Sequence, residues 1–243
     1  HFPFSHGTTV PPDPSPILAV YTLFPDIVRA GIQRLLKSPS KNVRIDACEA
    51  VSAILESAPG FSLTIAQDLI DSLSLPDDPY DQGSAAHAVA STLAKAMSNH
   101  AAEIDRIIQA SMVTVAAETK AELFKTYVRV LRSPRWDEPP SPLTQAHTLA
   151  FRRIVETILE RPDDERFQEA VYCFGHDRNK FFPDLVDEHV ESLLGAAALI
   201  AEDLANPYSL LTDPRPTELK ALEAGTRQLL LQNALEVAVS AVA

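Results

Sequence analysis

SPSKNVRIDACEAVSAILES, residues 38–57, is the stretch whose reading decides the fold. Pro39 breaks the preceding segment, Ser40 and Asn42 are both available as N-caps, and neither glycine nor proline interrupts residues 40–57. Val43, Ala47, Ala50, Val51, Ile54 and Ala58 recur at steps of three and four, which places them along one face of a helix. Small residues in the middle of that face let a neighbouring helix approach closely. A helix with such a stripe cannot bury it alone, so a partner is expected on each side.

The same pattern extends outward from this stretch in both directions. Upstream, Asp26 to Lys37 offers Ile27, Ala30, Leu35 and Leu36 and stops at Ser38-Pro39. Downstream, Phe61 to Leu75 sets Ile65, Ala66, Leu69, Ile70 and Leu73 on one face and ends at Pro76. A helix following Asp78-Pro79 carries Ala86, Val89, Ala90, Leu93, Ala94 and Met97. Then come Ala101 to Val115, Glu118 to Arg132, Leu143 to Glu160, Asp163 to Phe174, Asp184 to Ala205 and Thr217 to Ala243. Taken in pairs, these segments start near residues 26, 61, 101, 143 and 183, a period of about 40 with two helices per unit. No stretch alternates cleanly and no Asn-Gly or Asp-Gly hairpin signal occurs. The expectation is an all-α fold, an α-α superhelix of about five antiparallel helical hairpins over residues 26–243.

Composition agrees with that class. Seven glycines and 19 prolines suit helices punctuated by proline breaks better than sheets. Residues 1–25 hold six of those prolines (Pro3, Pro11, Pro12, Pro14, Pro16 and Pro25) and read as an extended lead-in or linker, with Phe2, Phe4, Ile17, Leu18 and Tyr21 able to pin it to the first helices. The net charge of -12 opposes wholesale binding to nucleic acid or an anionic membrane surface, without excluding a local basic patch. Cys48 and Cys173 are too few for a disulfide framework and both sit on apolar stripes, which points to a reducing, cytoplasmic setting. The most apolar run, Leu229 to Ala243, is short and interrupted by Gln232, Asn233 and Glu236, so no membrane span is expected. The chain opens on His1 and shows no signal-peptide pattern, as expected of a domain of something longer or of a processed product.

Pro39, Val43-Arg44, Ala47, Ala50 and Ile54 together resemble the second half of a HEAT repeat. Fainter echoes are Ser84 to Met97 (SAAHAVASTLAKAM) and Ala146 to Leu159. The resemblance, HEAT-like or armadillo-like, implies a right-handed stack of helical hairpins that serves as a protein-binding scaffold. The chain departs from that family in two places. Its turn reads Ser38-Pro39-Ser40 where the family often has an aspartate bonding to a neighbouring repeat's arginine, and no proline kinks Asp26 to Lys37. Arg44 is expected to be structural, bridging toward the next repeat.

Catalytic chemistry has no motif here. The seven histidines are scattered, none stands beside a serine or cysteine in a nucleophile pattern, and no phosphate loop or dinucleotide fingerprint occurs. Cys173 and His176 have CxxH spacing with Asp177 and His189 nearby, but a zinc site would need further ligands and no further cysteine exists. Neither a catalytic residue, a metal nor a cofactor is expected. The charge pattern is more informative. Lys120 to Arg161 holds eight Lys or Arg against five Asp or Glu, in a chain that is otherwise acidic. Lys125, Arg129 and Arg132 fall at i, i+4 and i+7 on one helix face, and Arg135 and Trp136 follow in a loop with four prolines, Ser133 to Pro142. A basic stripe ending in an exposed aromatic suits an acidic peptide, phosphate groups or nucleic acid; the plainer reading is a solvated helix face.

Two further features concern association. Asp184, Asp187, Glu188 and Glu191 favour a helix N-terminus electrostatically, which is sufficient reason for them. The last segment is apolar on more than one side (Leu229, Leu230, Leu231, Ala234, Leu235, Val237, Ala238, Val239 and Val242), whereas a terminal repeat needs a polar outer face. A following repeat, a neighbouring domain or a second copy of the chain is expected to cover it. The function anticipated is therefore non-enzymatic. It is a scaffold that binds another protein or an adjacent domain through its second helices, with Lys125, Arg129, Arg132, Arg135 and Trp136 as contact residues; the alternative is a nucleic-acid or phosphate-binding helical repeat.

Overall fold

A computed structural model describes residues 16–75, 85–131, 144–160, 162 and 165–176. Among them are nine helices and no strand: α1 Pro16–Leu23, α2 Pro25–Leu36, α3 Lys41–Leu55, α4 Phe61–Ser72, α5 Ala85–Asn99, α6 Ala101–Met112, α7 Ala117–Leu131, α8 Gln145–Glu160 and α9 Glu165–His176. The class is all-α. The starts of α2, α4, α6 and α8 fall within two residues of those anticipated from the period. The fifth pair, from about residue 183, the apolar segment 217–243, the loop 133–142 and its Trp136 lie outside the described residues.

Local chemistry sets the boundaries. Pro25 occupies the first turn of α2, where a missing N–H costs nothing, and Asp26 at the start and Arg34 at the end complement the helix dipole. α4 begins after Pro59-Gly60, with the Ser62 hydroxyl donating to the Pro59 carbonyl at 2.8 Å. Ser40 is the N-cap of α3 by position, yet its side chain makes no capping bond; its backbone N–H instead donates to Ser38 Oγ at 3.2 Å.

The lead-in is not extended throughout, as α1 shows. Counting prolines by density misjudged it, because Pro16 stands at a first helical position and the seven residues after it contain no other proline. Ile17 and Tyr21 of this helix pack on the core, and the Tyr21 ring meets Phe61 edge-on at 5.1 Å.

Packing follows a simple order. α3 lies against α5, α5 against α7 and α7 against α9, while α2 lies against α4, α4 against α6 and α6 against α8. Consecutive helices also pack: α2 on α3, α4 on α5, α6 on α7 and α8 on α9. One continuous apolar cluster results, running from Val28, Ile32 and Leu36 through Ile65, Leu69, Leu93, Ile104, Ile108, Phe124 and Ile154 to Phe167. Each fully buried side chain of this size contributes roughly 2 kcal/mol, so truncating Leu69 or Ile104 to alanine would cost about 2–5 kcal/mol.

The buried arc of α3 differs from the anticipated stripe. Ala47, Val51 and Ile54 are buried as expected, but Arg44, Cys48 and Leu55 join them while Val43, Ala50 and Ala58 are only partly covered. Contact with both α2 and α5 widens and rotates the covered face. Arg44 has no exposed surface, and its Nη1 donates to the carbonyls of Ser38 at 2.8 Å and Pro39 at 3.2 Å. These bonds run back to the turn before its own helix and staple the α2–α3 turn, a structural role of the kind anticipated for Arg44.

Candidate functional site

Helices α3, α5 and α7 present one face on which polar side chains meet across helix boundaries. On α3 these are Glu49, Ser52 and Glu56, spaced at three and four; on α5 they are His87, Ser91 and Lys95, spaced at four. Between them runs an open groove of about 470 Å³, lined by Cys48, Glu49, Ser52, Ala53 and Glu56 on one side and His87, Ala88, Ser91, Thr92 and Lys95 on the other. It exists because the facing side chains are small. Ser52 and Ala53 line it from α3, and Ala88 and Ser91 from α5.

The floor is chemically quiet. Thr92 Oγ1 donates to the Ala88 carbonyl at 2.9 Å, lies 3.3 Å from the Cys48 carbonyl, and shares a hydrogen bond of 3.1 Å with Ser52 Oγ. Burial pushes the Cys48 thiol up to about 12, against the weaker pull of its Thr92 bond and of Arg44, so it stays a neutral thiol at physiological pH. An ion pair crosses between the two helices along the groove, Lys95 Nζ to Glu56 Oε1 at 2.6 Å. That hydrogen bond and the lysine charge hold the Glu56 carboxyl below its ordinary range.

Arg129 reaches this face from α7. Its guanidinium donates to Ser91 Oγ at 2.8 Å and meets His87 Nδ1. Lys125, one turn earlier, sits 2.7 Å from Glu122 Oε1 and 3.7 Å from Glu169 Oε1 of α9. Partial burial opposes its charge, but Glu122, Glu169 and Glu165 outweigh that and raise its pKa. Two of the five residues singled out as contacts are thus engaged with neighbouring helices instead of forming a bare cationic stripe. Arg132, Arg135 and Trp136 lie outside the described residues.

A second polar cluster lies away from this face. Asp105 of α6, largely buried, accepts from Tyr127 Oη at 2.8 Å and from Arg153 Nε at 3.0 Å and Nη2 at 2.8 Å. Gln109 Nε2 donates to Tyr127 Oη at 2.9 Å, and Arg153 Nη1 donates to Glu156 Oε2 at 2.8 Å. Burial, then the Asp105 charge, pushes the Tyr127 phenol well above its ordinary pKa; the hydrogen bond from Arg153 to Asp105 keeps that guanidinium firmly charged. Three helices are tied here by these hydrogen bonds.

Among the described residues no group of three or more His, Cys, Asp or Glu side chains could hold a metal ion, and no helix is long and apolar enough to cross a membrane. Cys173 is buried; Asp177 and His189 lie outside the described residues. The groove itself escaped sequence reasoning. Its two polar ladders were visible as periodic positions, but their being opposite each other depends on α3 packing on α5. Comparison with protein-family models, with curated proteins and with solved structures gave no match.

Proposed function

We propose that this chain is a HEAT-like α-solenoid scaffold, without catalytic activity, that binds a protein partner or an adjacent domain through the face carried by α3, α5 and α7. The observation that carries the reading is the packing order. Helices two apart in the chain stack side by side in two series, as the members of successive hairpins do in a superhelix. Such a stack presents a continuous surface built from one helix per repeat, and the groove between α3 and α5 lies on it. Cys48 and Cys173 as buried thiols fit a reducing, cytoplasmic setting.

The phosphate or nucleic-acid alternative has less support, because Lys125 and Arg129 direct their charge at Glu122, Glu169, Ser91 and His87. Its sign would be a steep loss of binding with added salt. The scaffold reading is tested by placing a photo-crosslinking benzoylphenylalanine at Ser91, on the proposed face, or at Gln67, exposed on α4, in the cell that makes the protein. Discrete protein adducts from position 91 and none from 67 are expected. Equal labelling from both positions, or adducts from 67 alone, would refute it.

A further inference from the structure

The groove between α3 and α5 has a chemistry of its own, and the inference drawn from it rests on the scaffold reading above. Its floor makes no hydrogen-bonding demand, since Thr92 and Ser52 satisfy each other and the backbone, and Cys48 is a neutral thiol. Ile45, Ala53 and Ala88 add apolar walls. An apolar side chain therefore gains by entering, and a polar one would lose its water without replacement.

The rim decides the charge. Glu56 is paired with Lys95, while Arg129, which meets His87 and Ser91, holds its positive charge on the α7 side of α5. Glu49 is different: it is exposed on the groove wall and makes no hydrogen bond or ion pair among the described residues. Among the residues that line the groove, the carboxylate left without an ion-pair partner among the described residues is thus Glu49, in a chain of net charge -12. Glu49 lies one helical turn from Ser52 and Ala53, about 5–6 Å along the same face. In an extended strand, side chains on one side repeat about every 6.6 Å, so an apolar residue over Ala53 sets the residue two positions away beside Glu49.

The geometry points to a docking site for a segment of a partner protein with the pattern apolar–x–basic, its apolar side chain in the trough over Ser52, Ala53 and Thr92 and its Lys or Arg against Glu49. Neither an acidic nor a purely apolar segment satisfies both halves of the site.

The test uses the 243-residue chain and three blocked nine-residue peptides made of the triplet Leu-Ser-Arg, Leu-Ser-Glu or Leu-Ser-Gln repeated three times, with binding followed by NMR shift changes and titration calorimetry. The Arg peptide is expected to bind, with shifts centred on α3 and α5. Glu49→Lys should weaken it roughly three- to tenfold, the scale of one surface ion pair lost and replaced by repulsion. Ala53→Trp, which fills the trough, should abolish it, with unchanged helicity showing that the variant folds. An Arg peptide that binds Glu49→Lys as well as the parent is responding to overall charge alone, and the inference falls. Binding of the Glu or Gln peptide, lost in Ala53→Trp, overturns the basic partner and leaves the scaffold reading standing. Failure of all three peptides overturns the docking site, and crosslinking from position 91 then judges the scaffold reading separately.

Discussion

Replacing Asp105 by alanine removes the acceptor on which α6, α7 and α8 converge, and the consequences can be worked from the geometry. The carboxylate side chain is 8% exposed and receives three hydrogen bonds, two from Arg153 and one from Tyr127. Without it the phenol keeps only the bond from Gln109 and loses its acceptor, while Arg153 keeps Glu156. Removing one partner of a buried ion pair costs about 3–5 kcal/mol. Arg153 retains 27% exposure, so water compensates part of its loss and the lower end applies, about 3 kcal/mol. In a chain of this size that corresponds to a fall in Tm of about 6–12 °C.

Urea denaturation followed by circular dichroism at 222 nm measures the loss. A double-mutant cycle with Arg153→Met isolates the pair, and a coupling of about 1–3 kcal/mol is expected because the double variant leaves no orphaned charge. The midpoint should fall with little change in the urea slope, since the surface exposed on unfolding stays nearly the same. A loss below about 1 kcal/mol in Asp105→Ala, or a coupling under about 0.5 kcal/mol, would refute the assignment of this cluster as the tie between the third and fourth helix pairs.

Thr126 is fully buried on α7 and its hydroxyl has no hydrogen-bond partner among the described residues, so Thr126→Val should leave stability unchanged or raise it by up to about 1 kcal/mol, measured as Tm. Arg44→Met removes a staple that binds two turn carbonyls, and hydrogen exchange should quicken first in residues 37–44, with a loss of about 2–4 kcal/mol; uniform exchange across the chain would contradict that role. Cys48, with its thiol pushed up to about 12, should resist iodoacetamide at pH 8 in the native protein and react only on unfolding. The same shift carries a sign. The unfolded thiol ionises near its ordinary value of 9.0 while the folded one holds its proton, so stability falls as pH rises from about 9 toward 12. Cys48→Ala should flatten that alkaline decline, and an identical slope in both proteins would contradict it.

Helix positions were legible because the signals are local. Pro39, Pro59-Gly60 and the three- and four-residue apolar steps mark where segments begin and which side is apolar, and α4 and α6 start at the anticipated Phe61 and Ala101. α1 was missed for an equally local reason, the difference between a proline at a first helical position and one inside a helix. The site was less legible, because its partners are far apart in the chain. Lys125 and Arg129 look like a solvated basic face until α5 and α9 are placed beside them; His87 lies 42 residues before Arg129. Glu49 and Ser52 likewise gain meaning only once Ser91 and Thr92, some forty residues on, are known to stand across from them.

The bonds that cross from one odd-numbered helix to the next also set how the protein yields to load. At the outer edge of the face with the groove, above the buried Thr92 contacts of its floor, the links among the described residues include Lys95 to Glu56, Arg129 to Ser91 and Lys125 to Glu169, all partly open to water. Water can replace each of them at little expense. Away from that face the same helices are joined by Ile, Leu and Phe contacts that water cannot replace. Bending therefore concentrates where the links are polar. The groove face is thus the compliant side of the helix stack, and the apolar side the stiff one.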